Sequence, residues 1–149
     1  MARRLVEHAP LGEWPRNDEV GTLTLAYDDR HRRRVRLTSD QGAELLLDLP
    51  RAVALEEDDG LRCELGGWYR VVAAAEPVLE VAGRDSAHLA RLAWHLGNRH
   101  TPTEIRADAL RVRQDHVLEA MLNGLGGSTR RLVVPFSPER GAYHRHDHG

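Results

Sequence analysis

Three histidines alternate near the C-terminal end of the sequence, His144, His146 and His148, in the run Tyr143-His-Arg-His-Asp-His-Gly149. Imidazole is a ligand for nickel, zinc and copper, so a polar segment carrying three of them collects borderline metals. Six further histidines lie upstream. His100 ends the run Gly97-Asn-Arg-His100 and is followed by Thr101-Pro102. Proline disfavours helix at the residue before it, which places His100 in the loop leaving a helix, where a ligand can reach it. His116 follows Asp115 at the expected start of a second helix and offers another imidazole. His88 and His95 are seven residues apart on one helix side, too far for one ion, and read as structural. His8 and His31 show no partner pattern. For His100 and His116 the plainer alternative is a surface residue at a helix end. Spacing alone closes no four-ligand site. The chain has no His-Glu-x-x-His pair, no phosphate-cradling glycine loop and no nucleophile elbow. Single histidines can still build a site where two copies meet, because a two-fold axis brings each residue near its own copy.

The elements that must position these residues fall into two textures. Residues 1–75 read as a small β-rich domain. Thr22 to Tyr27 and Arg34 to Thr38 alternate apolar and polar residues as half-buried strands do, and Glu44 to Leu49 is a more apolar strand stopped by Pro50. Leu61 to Leu65 and Trp68 to Ala73 flank Gly66-Gly67, a hairpin turn signal. The pattern changes between Ala74 and Pro77. Residues 76–136 then read strand, helix, strand, strand, helix, strand. Val78 to Ala82 is the first strand. Asp85 caps a helix whose apolar face is Leu89, Leu92, Ala93 and Leu96, with Gly97 as its expected C-cap. Thr103 to Ala107 and Leu110 to Arg113 make a hairpin. A second helix from about Asp115 ends at Gly124, Gly126 and Gly127, and Arg131 to Phe136 is the last strand. This βαββαβ order is ferredoxin-like, so the expected class is α+β. Residues 137–149 read as a flexible, histidine-containing tail.

Composition narrows the function. A formal net charge of -2 and an aromatic content of 5% argue against a nucleic-acid binder, which needs a basic face or stacking platforms. The best support for such a module is Arg30-His-Arg-Arg-Arg-Val-Arg36, read here as the solvated face of a strand. All 21 basic residues are arginine, which removes lysine chemistry such as Schiff bases. The single cysteine, Cys63, forms no internal disulfide and leaves no Cys-rich zinc site. No apolar run reaches the length of a membrane span, and the N-terminal residues lack the apolar core of a secretory signal, so a cytoplasmic location is expected. A metal-dependent hydrolase is the other alternative; it lacks a recognisable ligand set with a positioned general base.

Three segments together resemble a known family: Trp94-His-Leu-Gly-Asn-Arg-His-Thr-Pro102, Asp115-His-Val-Leu-Glu-Ala-Met-Leu122, and Val134-Pro-Phe-Ser-Pro-Glu-Arg-Gly-Ala-Tyr143 with the histidines after it. They are similar to the urease accessory protein UreE family, the nickel metallochaperones of urease maturation. The resemblance covers most of the chain and is strongest from about Pro77 onward. Leu49-Pro-Arg-Ala and Gly67 to Pro77 carry it more loosely in the N-terminal half. It implies an N-terminal β domain for partner binding and a ferredoxin-like domain that binds metal and dimerises. The histidine matching His100 would bind nickel at the dimer interface, one from each subunit, with His144, His146 and His148 adding ligands. The position matching His116 is a second-site ligand in some members. Those members carry another histidine two residues earlier, where this chain has Gln114. The implied cargo is nickel, which zinc or copper can replace. The implied partners are a second copy of the chain, the urease accessory GTPase and the apo-urease assembly complex, with no turnover of a substrate, no nucleic acid and no membrane.

Overall fold

The computed structural model describes residues 2–140. His144, His146 and His148 lie outside the described residues. The chain divides into two compact units, Met1–Ala74 and Ala75–Gly149.

The first unit is a six-stranded sheet. Its strands are β1 (Arg3–Ala9), β2 (Glu19–Leu25), β3 (Arg34–Thr38), β4 (Glu44–Asp48), β5 (Gly60–Cys63) and β6 (Trp68–Ala73). The order across the sheet is β2-β6-β5-β1-β4-β3. The pairs β1–β4 and β2–β6 are parallel and the other three are antiparallel. Alternate residues supply the core: Leu23 and Leu25, Leu45 and Leu47, Leu61 and Cys63 are buried, with Leu5, Leu55, Tyr69 and Val71. The β5–β6 hairpin turns through Gly66 and Gly67 at φ 102° and 87°. Both are left-handed values that glycine adopts without the steric penalty other residues meet.

Two features of this unit depart from the sequence reading. The sequence pattern does not predict β1, although it sits inside the sheet between β5 and β4. The segment after β2 is a short 3₁₀ helix, Tyr27–His31, in place of further strand. That turn buries Arg30 to 2% exposure, so only part of the arginine run is solvated. Arg34 and Arg36 are exposed on β3, alternating with Val35 and Leu37, which pack on the core.

The second unit runs β7 (Ala75–Ala82), α1 (Ser86–Asn98), β8 (Glu104–Ile105), β9 (Leu110–Arg113), α2 (His116–Gly124) and β10 (Ser128–Pro135). The sheet order is β10-β7-β9-β8, antiparallel throughout. This is the ferredoxin-like arrangement expected from the βαββαβ order, and the class is α+β. Leu79 and Val81 of β7 and Leu110 and Val112 of β9 pack with Leu92 and Leu96 of α1 and Leu122 of α2. Period-2 strands and period-3.6 helices thus bury one shared apolar layer. The opposite sheet face carries a row of charges. Glu80 accepts from Arg111 at 2.8 Å and from Arg130 at 2.8 Å. Burial pushes the Glu80 carboxyl up, but hydrogen bonds from Arg111 and Arg130 outweigh it and hold it below the usual value. No helix among the described residues is long and apolar enough to cross a membrane.

Candidate metal centre

Helix α1 begins where Asp85 accepts from the backbone N–H of His88 at 2.7 Å, a side-chain N-cap. Its other end places His100. The sequence suggests Gly97 as the terminating residue, but Gly97 is still helical. The cap is Arg99, and His100 takes the left-handed position at φ 56°. The His100 N–H donates to the Gly97 carbonyl at 3.0 Å and the Thr101 N–H to the Leu96 carbonyl at 3.1 Å. This pair of bonds is a Schellman closure with histidine where glycine is usual. The backbone around His100 is therefore fixed while its side chain stays exposed.

An open depression of about 410 Å³ adjoins this turn, lined by His100, Thr101, Pro102, Gln114, Asp115 and Leu118 among others. Asp115 caps α2, accepting from the N–H groups of Val117 at 2.8 Å and Leu118 at 3.0 Å. The bond from Leu118, helped by that from Val117 and by the nearby His116 and Arg99, holds the Asp115 carboxyl below its ordinary pKa. The turn thus brings His100, Gln114 and Asp115 to one surface. His116, the first residue of α2, is exposed but does not line the depression.

The six histidines of the described residues separate by their partners. His88 is 4% exposed. Its Nδ1 accepts from the Arg84 N–H at 2.9 Å, so the proton sits on Nε2, which donates to the Leu125 carbonyl at 2.8 Å. His8 Nε2 lies 2.8 Å from the buried Asp59, and His31 Nδ1 lies 3.3 Å from the Tyr27 carbonyl. His95 is half-buried and packs edge-on to Trp94 at 5.1 Å. The imidazoles of His100 and His116 make no hydrogen bond with any described residue, which leaves their nitrogens free for a ligand. Among the described residues no three His, Cys, Asp or Glu side chains cluster closely enough to hold a metal ion.

Beyond β10 the chain remains tied. Phe136 is fully buried, the Ser137 N–H donates to Glu104 Oε1 at 2.8 Å, and the Glu139 N–H donates to the Thr103 carbonyl at 2.8 Å. The sequence suggests a mobile tail from Ser137 onward, but these bonds fix the segment as far as Glu139. No polar or apolar pattern in the sequence announces them, because Glu104 reads as an ordinary surface carboxylate.

The family description "UreE urease accessory protein, N-terminal domain" matches residues 2–74, and "UreE urease accessory protein, C-terminal domain" matches residues 76–149. A urease accessory protein UreE of Rhodopseudomonas palustris strain HaA2 is 55% identical over 122 residues, covering 82% of this chain and 57% of that protein. One from Bradyrhizobium sp. strain ORS 278 is 54% identical over 130 residues, covering 86% of this chain and 62% of that protein. One from Chelativorans sp. strain BNC1 is 52% identical over 127 residues, covering 85% of this chain and 80% of that protein. The chain thus spans about three fifths of the length of the first two relatives. Both units and most of the sequence match, and the chain belongs to the urease accessory protein UreE family.

Proposed function

We propose that this chain is a nickel-binding metallochaperone that delivers nickel during maturation of the urease active site. The observation that carries the reading is the division of the histidines. His8, His31 and His88 are bound to protein groups, whereas His100 presents an uncommitted imidazole on a turn whose backbone is locked. One exposed imidazole is a weak site. A second copy of the chain, paired through the second unit, supplies a second His100, and His144, His146 and His148 complete the coordination. His116 is a further ligand with a smaller share, because Gln114 replaces the neighbouring donor and His116 stands outside the depression.

The donor set suits a carrier. Neutral imidazoles at a solvent-reachable surface bind nickel and let it go, whereas a thiolate cage would retain it. The one cysteine is buried in the first unit, away from any such role. The same nitrogens take zinc or copper, so delivery to the right metalloprotein depends on the receiving partner. In this reading the first unit docks the accessory GTPase and apo-urease assembly, the chain works in the cytoplasm, and no substrate is turned over. The test is nickel titration of the purified protein with its mass in solution measured in parallel. Binding at a ratio that implies a site shared by two chains supports the reading. No nickel binding at mildly alkaline pH refutes it.

A further inference from the structure

We propose that the open edge of β3 in the first unit takes up an extended segment of a partner protein as an added strand, one with carboxylates at alternate positions and apolar residues between them. The proposal rests on the reading above that this unit docks a partner, and it names the chemistry of the segment received.

β2 and β3 are the two edges of the six-stranded sheet. An unpaired edge is a row of N–H and C=O groups ready to pair with another chain. At β2 the chain itself fills part of that row: the Asp40 N–H donates to the Thr22 carbonyl at 2.9 Å, and the Thr22 N–H donates to Gln41 Oε1 at 2.9 Å. β3 has no such cover. The Arg33 carbonyl accepts from the Leu49 N–H at 3.0 Å, and the Ser39 N–H donates to the Ala43 carbonyl at 2.8 Å. With Arg34 opposite Asp48 and Arg36 opposite Leu46, the odd-numbered residues bond β4, and the N–H and C=O of Arg34 and Arg36 point out of the sheet. No described residue bonds them.

The core is open at the same place. Val35 and Leu37 pack on it but stay half-buried, whereas Leu45 and Leu47 on the adjacent strand are 1% and 0% exposed. Inward residues of an added strand would cover Val35 and Leu37. The outward side chains set the charge. Arg4, Arg16, Arg62 and Arg70 of this unit each pair with a carboxylate. Arg34 and Arg36 are exposed and pair with no described carboxylate. Asp48, opposite Arg34, is held by Arg4 at 3.1 Å. Residues of an added strand facing Arg34 and Arg36 stand two apart, about 7 Å, on one face, so carboxylates at i and i+2 match them. A second copy of this chain is a poor occupant, because a two-fold axis between two β3 edges sets arginine near arginine. Nucleic acid would meet the guanidiniums but leave Val35 and Leu37 uncovered.

The experiment uses the whole chain and a fluorescein-labelled peptide of about nine residues, a strand's length, in which glutamate alternates with valine. Anisotropy reads its binding. A control peptide has the same composition with its glutamates grouped at one end, and it should bind about tenfold more weakly. Arg34→Gln and Arg36→Gln should each weaken binding about two- to fivefold, the effect of one cross-strand charge pair. Arg36→Pro removes the same charge and also the outward N–H, which β4 does not use, so an edge strand tolerates it. It should bind about tenfold more weakly than Arg36→Gln. Amide exchange needs no variant: the peptide should slow exchange at Arg34 and Arg36, while Val35 and Leu37, already bonded to β4, change little. No peptide binding, equal binding of the two peptides, or an Arg36→Pro variant no weaker than Arg36→Gln overturns strand addition. Single-stranded DNA held more tightly than the alternating peptide also overturns it and assigns the edge to nucleic acid. These variants should titrate with nickel as the wild type does. Failed nickel binding with the peptide still bound defeats the metal-carrier reading alone; a peptide that does not bind while nickel does defeats only the added strand.

Discussion

Replacing His100 by glycine should make the protein more stable and less able to bind nickel. At φ 56° His100 occupies the left-handed region, which costs an L-residue roughly 1–2 kcal/mol, with histidine among the more tolerant side chains. Glycine removes that cost but gains freedom in the unfolded chain, so a net gain of about 0.5–1 kcal/mol is expected. The turn's two closing hydrogen bonds are made by backbone groups of Gly97, Leu96, His100 and Thr101, which the substitution keeps. For a unit of this size the gain corresponds to a rise in Tm of about 2–8 °C. Alanine keeps the steric penalty without histidine's tolerance, so the order of stability should be His100→Gly, wild type, His100→Ala. Denaturant titration in nickel-free buffer with a chelator measures it. A glycine variant less stable than wild type would show that the His100 side chain stabilises the fold, and a histidine in this awkward backbone position would no longer point to a ligand.

His88 should behave in the opposite sense: His88→Ala leaves the Arg84 N–H and the Leu125 carbonyl without partners and should cost about 2–4 kcal/mol in denaturant unfolding, with nickel stoichiometry unchanged. Asp85→Ala removes the α1 cap and should cost about 1 kcal/mol by the same assay. Acid should weaken nickel binding, since protonated imidazole is no ligand; calorimetry between about pH 7.5 and 5.5 should show a steep fall, and a flat profile would contradict histidine ligation. The folded-state pKa of Glu80 is depressed, so its contribution to stability is fully present above the unfolded carboxyl pKa and is lost as pH falls through the lower folded value. Glu80→Gln should therefore flatten the acid limb of the stability curve, and an unchanged limb would mean that Arg111 and Arg130 do not favour the charged form.

Much of the second unit is legible locally. Asp85 and Asp115 stand where side-chain caps are needed, and the i, i+3, i+4, i+7 spacing of Leu89, Leu92, Ala93 and Leu96 identifies the buried side of α1. The strand–helix alternation then leaves few ways to arrange four strands. The first unit is less legible because its pairings are distant. β1 is a short run with two arginines at its start, and only partners some forty to sixty residues away, Leu45 to Leu47 and Gly60 to Cys63, make it an inner strand. The sequence predicts the cap of α1 at Gly97, two residues before the observed Arg99, since glycine is the residue type expected to close a helix in a left-handed position and histidine is not. His88 is separated from His100 by sequence pattern through its place on the apolar side of α1, but the bond to Leu125 joins residues 37 apart and is visible only in three dimensions. The bond from Ser137 to Glu104 belongs to the same class: a backbone N–H and a surface-type carboxylate 33 residues apart carry no signal in the sequence.

The most direct test of nickel carriage is a nickel titration of wild type, His100→Gly and His100→Ala, each with its mass in solution measured through the titration. The account predicts tight binding shared between two chains in the wild type, loss of the tight site in both variants, and folded proteins that still pair without metal. Tight binding retained in both variants, with residues 141–149 also removed, would contradict it and move the site away from His100.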